Sequence, residues 1–498
     1  MNTNNSFTIK IILQHYLKDS KAKDKKYNHL YQSIKKCITK HELPHGWTLP
    51  STRFLADSLN LSRTTVLKAY DFLSLENLIK PKPGSGYIVI YEKGQPKRST
   101  KKSKNTNLNT YVSISNSAEH YFDNLPMINR ESKHHIAFRP GLPPLDIFPV
   151  NQWKKLLNLY WSSIKFSELT YSNSSGIREL KYSISKYLSV SRNVNCSPEQ
   201  VFVVSGSLQS LFLIANVLIE KNDTVILENP TFPNVHSIFK SLQANLIPLQ
   251  LDQEGININE KKLNDLQPKI IHVTPSNHYP LGIKMSLKRR LEVLNFASNT
   301  GSYIIENDYE NEIANHDEKT PTLFSLDKED RTLYLGTFNR LLHPSIRLGY
   351  MVAPKNLVPY IEALQELSHR FVSPSLQVVM NQFIEKNYIY LHIKNCIEAA
   401  LERHNLFTEA FSKKISKMEI HPAKVESFHT IARFKAESDY QHENEIVKQL
   451  KLKGITTFPL SKCYIEYPKE FGLIFGYAAV RPSIIQSKIN TMAEVIKS

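Results

Sequence analysis

At 498 residues, with 41% apolar and 10% aromatic side chains, the chain is long enough for two or more cored domains and ordinary in globular composition. It has no run of about 18 apolar residues, so no membrane-crossing helix is expected, and its N-terminus lacks the small-residue cleavage site of a signal peptide. The net charge of +17 is concentrated: residues 1–104 hold 20 Lys and Arg against 7 Asp and Glu, a surplus of 13. Such a basic block points to a polyanion partner, nucleic acid first, over a merely solubilising face. Cys37, Cys196, Cys396 and Cys463 stand far apart without a C-x-x-C pair. That spacing suits neither zinc nor a disulfide framework, and fits a reduced cytoplasmic chain.

Leu30, Ile34, Cys37 and Ile38 fall on one helical stripe. Gly46–Pro50 then forms an extended entry, and Ser51 can cap a second helix carrying Phe54, Leu55 and Leu59 inward. Asn60 makes a turn, and Ser62 caps a third helix whose Val66, Ala69, Tyr70 and Leu73 recur at i, i+3, i+4, i+7. That stripe leaves Arg63, Thr64, Thr65 and Lys68 facing out at the N-terminal end, where a recognition helix meets base edges and phosphates. Lys80–Tyr87 reads as a tight basic hairpin, a wing. The segment resembles the GntR-type winged helix, through Leu49-Pro50-Ser51-Thr52-Arg53-x-Leu55-Ala56, Leu61-Ser62-Arg63-Thr64-Thr65-Val66, Ala69-Tyr70 and Gly84-Ser85-Gly86. The resemblance implies contacts to double-stranded DNA by Arg53, Ser62, Arg63, Thr64, Thr65, Lys68 and the wing residues Gly84, Ser85 and Gly86. The head is assigned to residues 1–90.

Residues 91–135 are rich in Lys, Ser, Thr and Asn with no apolar period, and read as a flexible basic linker. From 136 to 498, apolar runs at 201–205, 224–227, 270–274, 303–306 and 333–337 alternate in part with helical patterns at 207–220 and 286–298. The pattern predicts an α/β domain on a mostly parallel sheet, with ligands beyond the carboxyl ends of its strands.

The motifs at those ends resemble the aminotransferase-like domain of MocR regulators, a fold type I pyridoxal-phosphate (PLP) scaffold with a smaller C-terminal α+β part from about residue 370. Ser205-Gly206-Ser207-x-Gln209 opens a helix as a phosphate cup. By the resemblance, Ser207 and Gln209 belong to that cup, Phe232 stacks on the cofactor ring, His278 lies in the loop over it, Tyr309 meets the ring hydroxyl and Arg347 binds phosphate. Tyr171 would reach the partner subunit's site, which implies a homodimer.

Three chemical positions depart from the family pattern, and the serine beside one of them departs too. In Leu333–Tyr350, LYLGTFNRLLHPSIRLGY, the family's serine and Schiff-base lysine are replaced by Asn339 and Arg340. No lysine lies between Lys328 and Lys355 to replace it. A guanidinium stays protonated and cannot act as an amine nucleophile. Asn307 stands where the family's aspartate keeps the pyridine nitrogen charged. The substrate-carboxylate arginine is missing from Leu473–Tyr477, with Arg481 just downstream and unmatched. The expectation is a non-catalytic body for dimerisation and effector sensing, without covalent PLP, metal or membrane. Arg340 would pair with Asp308 or Glu310, or clamp an anionic ligand. PLP held non-covalently and a purely structural body remain as alternatives, and a working aminotransferase would need an amine the sequence does not supply.

Overall fold

The computed structural model describes residues 2–18, 26–82, 86–91, 114–125, 137–259, 263, 265–314, 320–421 and 427–497. It divides into two compact units, Met1–Val112 and Ser113–Ser498.

In the first unit, α1 (Asn2–Lys18) packs on α2 (Lys26–Thr39), followed by β1 (Thr48–Leu49), α3 (Thr52–Leu59), α4 (Arg63–Leu75), β2 (Ile79–Lys82) and β3 (Gly86–Val89). The strands form an antiparallel sheet in the order β1-β3-β2. Each serine cap forms as the sequence predicts: Ser51 Oγ accepts from Phe54 N–H and Ser62 Oγ from Thr65 N–H, satisfying helix-end donors that would otherwise lack partners. Asn60 takes the left-handed conformation, as a tight stop between α3 and α4 requires. Val66, Ala69, Tyr70 and Leu73 are buried together, and the Tyr70 hydroxyl donates to Pro50 O at 2.9 Å, fixing α4 against the entry to α3.

Two expectations for this unit change. Phe54 is 44% exposed, because α3 turns Leu55 and Ala56 into the core instead. The N-terminal helix α1 was not legible, because its inward face mixes the polar Thr8 with Ile12, which dilutes the apolar period. Gly84 and Ser85, assigned to the wing from the sequence, lie outside the described residues.

The second unit begins with α5 (Asn116–Asp123), inside the stretch read as flexible linker. It rests on the body: Ser241 Oγ donates to His120 O at 3.2 Å, and the Tyr121 and Phe212 rings lie 6.1 Å apart. Most of the remaining linker lies outside the described residues. There follow α6 (Val150–Ser163), α7 (Arg178–Arg192), β4 (Val201–Val204), α8 (Ser207–Leu218), β5 (Thr224–Asn229), α9 (Pro233–Ser241), β6 (Asn245–Asp252) and β7 (Gly255–Ile256). Then come β8 (Ile270–Val273), α10 (Leu287–Thr300), β9 (Tyr303–Asn307), the short α11 (Asn311–Ala314) and α12 (Leu323–Leu326), β10 (Thr332–Thr337) and β11 (Gly349–Val352). The sheet runs β4-β11-β10-β9-β8-β5-β6-β7; the inner pairs from β10 to β6 are parallel, and β11 lies antiparallel to both β10 and β4.

Helices cover both faces, and β4 shows why its residues are continuously apolar. Phe202 and Val204 join the cluster containing Leu211 and Phe239, while Val201 and Val203 join the opposite one with Tyr334 and Tyr350. After α13 (Val358–Ser368), α14 (Pro374–Glu385) and the long α15 (Tyr388–Lys414), a second, antiparallel sheet forms from β12 (Met418–His421), β13 (Thr430–Phe434), β14 (Phe458–Pro459) and β15 (Gly472–Phe475). With α16 (Glu443–Leu452) and α17 (Pro482–Lys497) it encloses its own core of Phe407, Phe411, Phe475 and Met492.

Gly336 and Tyr350 are directly paired on β10 and β11, and a Cβ at Gly336 would overlap the Tyr350 ring. Overpacking of a full core costs on the order of 1–3 kcal/mol. Gly336→Ala should therefore lower the stability of the body by about that amount in denaturant unfolding, with native-like DNA binding retained by the head.

Candidate functional site

The cup, ring and lysine-segment positions converge at one edge of the large sheet, because each follows the carboxyl end of a parallel strand. Ser205–Gln209 follow β4, Phe232 follows β5, Asn277 and His278 follow β8, Asn307–Tyr309 close β9, and Asn339–Arg340 follow β10. Such strand ends aim backbone and side-chain groups into one crevice.

The cup is built on glycine. Gly206 sits at φ +135°, and Gly349 of β11 lies so near that a Cβ on it would be 3.0 Å from Gly206 Cα. Asn339 occupies this corner. Its Nδ2 donates to Ser205 O at 3.3 Å, and its Oδ1 accepts from Leu348 N–H at 2.8 Å. A Cβ at Gly206 would lie 2.7 Å from that Nδ2. Gln209 also turns to the backbone, its Oε1 accepting from Ser205 N–H at 2.6 Å, so two side chains assigned to a ligand hold the cup's own frame. Arg347, exposed and in left-handed backbone, donates from Nη2 to Ser205 Oγ at 3.3 Å.

Arg340 does not take the expected carboxylate partners. Asp308 is bound by Arg192, Nε–Oδ2 2.7 Å and Nη2–Oδ1 3.1 Å, and by the Tyr334 hydroxyl. Glu310 Oε2 accepts from Ser427 Oγ at 2.7 Å and Phe428 N–H at 2.9 Å. Arg340 instead places its guanidinium 4.9 Å from the centre of the Tyr309 ring, within cation–π range. Its other side meets Gly141, at φ +82°, where a Cβ would overlap Nη1 and lie 2.7 Å from Cζ. Among the described residues it forms no salt bridge. Burial works to lower its pKa, but Tyr309, Glu310 and Tyr279 together raise it, so the group stays charged.

Several polar atoms around it are buried without partners among the described residues: the Tyr309 hydroxyl, both amide atoms of Asn277, His278 Nδ1 and Glu310 Oε1. His278 Nε2 lies 3.0 Å from Pro230 O, and burial pushes its pKa down to about 3, so the ring is neutral. Phe232 packs edge-on against Tyr279 at 5.3 Å. Ser207 begins α8, and Asn307 ends β9 half-buried. Tyr171 does not join this cluster: it is 77% exposed, with Arg370 over its ring at 5.0 Å. Arg481 lies apart too, exposed and 3.9 Å from Asp146. The donor set suits an anionic ligand. The residue after β10 is Arg340, which carries no primary amine, and Asn307 at the end of β9 is an amide rather than a carboxylate.

In the head, Arg53, Ser62, Arg63, Thr64 and Lys68 are exposed and Thr65 half-buried. Ser62 Oγ lies 2.9 Å from Thr64 Oγ1 and 2.7 Å from Thr65 Oγ1, tying the start of α4 together. Lys68 Nζ is 5.8 Å from the Tyr27 ring centre, and Gly86 opens β3 at φ +89°.

Residues 26–89 match the gntR family of bacterial regulatory proteins, and residues 144–475 match aminotransferase class I and II. The chain belongs to the aminotransferase class I and II family and carries a GntR-type head. Within it, the whole-length similarity is to MocR-type regulators. The chain is 28% identical to the probable rhizopine catabolism regulatory protein MocR of Rhizobium meliloti, over 94% of this chain and 92% of that protein. It is also 28% identical to the uncharacterized HTH-type transcriptional regulator YdeL of Bacillus subtilis, over 94% of this chain and 96% of that protein. The body shares its fold with LysN, the alpha-aminoadipate aminotransferase of Thermus thermophilus, at a TM-score of 0.69 and 18% identity, over 77% of this chain and 97% of that one.

Glu228 lies beneath this edge, its Oε2 accepting from Thr274 N–H at 3.0 Å and Thr274 Oγ1 at 2.7 Å. Burial pushes its carboxyl up to about 7, against the opposing pull of those two bonds. A raised folded-state value means that its stabilisation is complete below the ordinary carboxylate range and is lost as pH rises through 7. Glu228→Gln should flatten the fall in melting temperature between about pH 5 and pH 8; an unchanged slope would show that Glu228 does not titrate there.

Proposed function

We propose that the protein is a DNA-binding transcriptional regulator of MocR type, with a large domain that dimerises it and senses a small anionic effector without catalysing transamination. The observation that carries the loss of catalysis is Arg340: it stands where the family's motif places the lysine, it stays charged, and it is free of any carboxylate partner among the described residues. A second reading, PLP held non-covalently, is favoured by the buried Tyr309 hydroxyl without a partner and by Arg347 at the cup. In either case Arg340, Arg347 and Ser207 supply charge and hydrogen bonds that bind and orient an anion, and no residue of the crevice supplies an amine. Incubation with PLP and borohydride should leave the intact mass of the protein unchanged apart from any adducts on exposed surface lysines. A stoichiometric pyridoxyl group mapped to the crevice would overturn the non-catalytic reading.

DNA contact is assigned to the N-terminal end of α4 and to the wing. Arg63 is exposed there without an ion-pair partner among the described residues, and Arg53 and Lys68 flank it. Affinity should fall roughly linearly with the logarithm of salt concentration. Arg63→Ala should weaken specific binding by about 1–3 kcal/mol if Arg63 reads a base, or reduce the salt slope by about one unit if it meets a phosphate. Titration of an operator fragment at several salt concentrations distinguishes these results, and no change in either would remove α4 from the interface.

Dimerisation is assigned to the surface that carries Tyr171. Leu159, Trp161, Phe166 and Leu169 are also exposed along this segment, Phe166 at 93%. A run of exposed apolar side chains of this kind is what an association surface would cover. The protein should sediment as a homodimer, and Phe166→Glu should shift it towards monomer at micromolar concentration without lowering its helical content.

A further inference from the structure

Cys37 looks like a lone core cysteine in the sequence, but α1 brings two other ligand-type side chains to it. Residues 2–18 precede the GntR match, which begins at residue 26, and they form an integral part of the head. Ile12 is fully buried, and Trp47 Nε1 donates to Thr8 Oγ1 at 3.0 Å. At the other end of α1, His15 Nε2 lies 2.7 Å from Glu42 Oε2, in the turn after α2. Cys37 Sγ, on α2, completes a group of three ligand atoms that all lie within 4.8 Å of one another. The sulfur's polar neighbour is a weak one, Ile11 O at 4.0 Å.

We infer that His15, Cys37 and Glu42 form a binding site for a zinc-class divalent transition metal, which clamps α1 onto the winged-helix head. One sulfur, one imidazole nitrogen and one carboxylate oxygen form a donor set that suits Zn²⁺ and its neighbours, whereas Ca²⁺ and Mg²⁺ take oxygen ligands. The three donors come from three separate segments, so one ion would cross-link α1, α2 and the turn that follows. His15 and Glu42 side chains are 17% and 36% exposed, which leaves an entry route and a fourth position for water, while the sulfur stays buried. Tetrahedral ligation sets such donors about 3.3–3.6 Å apart, so His15 and Glu42 need to separate by only about half an ångström from their hydrogen-bonded distance. Binding replaces the Cys37 S–H bond with a sulfur–metal bond and displaces the proton that His15 Nε2 shares with Glu42 Oε2; the thiol proton leaves to solvent, the imidazole keeps its proton on Nδ1, and nothing is oxidised or reduced.

The test is a Co²⁺ titration of the full-length, reduced protein. The expected result is one ion per chain, with a sulfur-to-cobalt charge-transfer band that Zn²⁺ bleaches. Cys37→Ser should abolish the band, and Glu42→Gln should weaken Co²⁺ binding by at least about tenfold while keeping the band. Zn²⁺ should raise the melting temperature of the wild-type head and raise that of Glu42→Gln much less, since a ligand stabilises only what it binds. No band at saturating Co²⁺ would overturn the site and leave His15–Glu42 as a hydrogen bond beside a core cysteine. So would a band that survives Cys37→Ser, which would place the thiolate elsewhere. If Cys37→Ser does not fold, Glu42→Gln decides, because unchanged Co²⁺ affinity in that surface variant rules the site out.

Discussion

Asp308 is held in a fork by Arg192 at the end of α7 and by the Tyr334 hydroxyl from β10, and Arg192 Nη2 reaches Ser276 Oγ at 2.7 Å. This one buried node joins the exits of β8 and β9 and the middle of β10 to α7. Asp308 lies between Asn307 and Tyr309, so the node sets where both of those side chains stand. Burial alone would lower the Arg192 pKa, but Asp308, Tyr334 and Glu306 together raise it, so the guanidinium stays charged. A buried pair of this kind contributes little net stability against an apolar substitute, yet removing one partner costs roughly 3–5 kcal/mol. Its effect is positional: it fixes Asp308, and with it the neighbouring Asn307 and Tyr309 at the crevice.

The same division runs through the whole body. Glycines at 206, 336 and 349 are required by close packing of backbone or ring, and they stand at their motif positions. Asn339 and Gln209, by contrast, spend their polar atoms on the cup's own backbone. The scaffold is tightly specified around a crevice that holds buried polar atoms without partners among the described residues. The head follows another logic. Its caps and buried stripe fix α4, and its basic side chains are left outside, where they are available to a charged partner.

Much of this was legible in the chain. Strands β4, β5, β8, β9 and β10 were marked by short apolar runs, and α4 by a cap and a clean i, i+3, i+4, i+7 stripe, because burial on these elements is regular. What escaped reading depends on contacts between segments distant in sequence. Helix α5 is polar enough to pass for linker, and only its seat near α9 orders it. Phe54 looked like core, yet α3 is rotated so that Ala56 faces in. The partners of Arg340 could not be deduced from proximity in sequence, because Asp308 is already taken by Arg192, 116 residues away along the chain. His15, Cys37 and Glu42 have no motif spacing, and only the hairpin of α1 and α2 brings them together.

Gly141 and Arg340 face each other so closely that neither position can change freely. A side chain at 141 would displace the guanidinium, and a shorter side chain at 340 would open a void beside a residue with nothing to fill it. The two positions are therefore coupled: a change at either one is felt at the other.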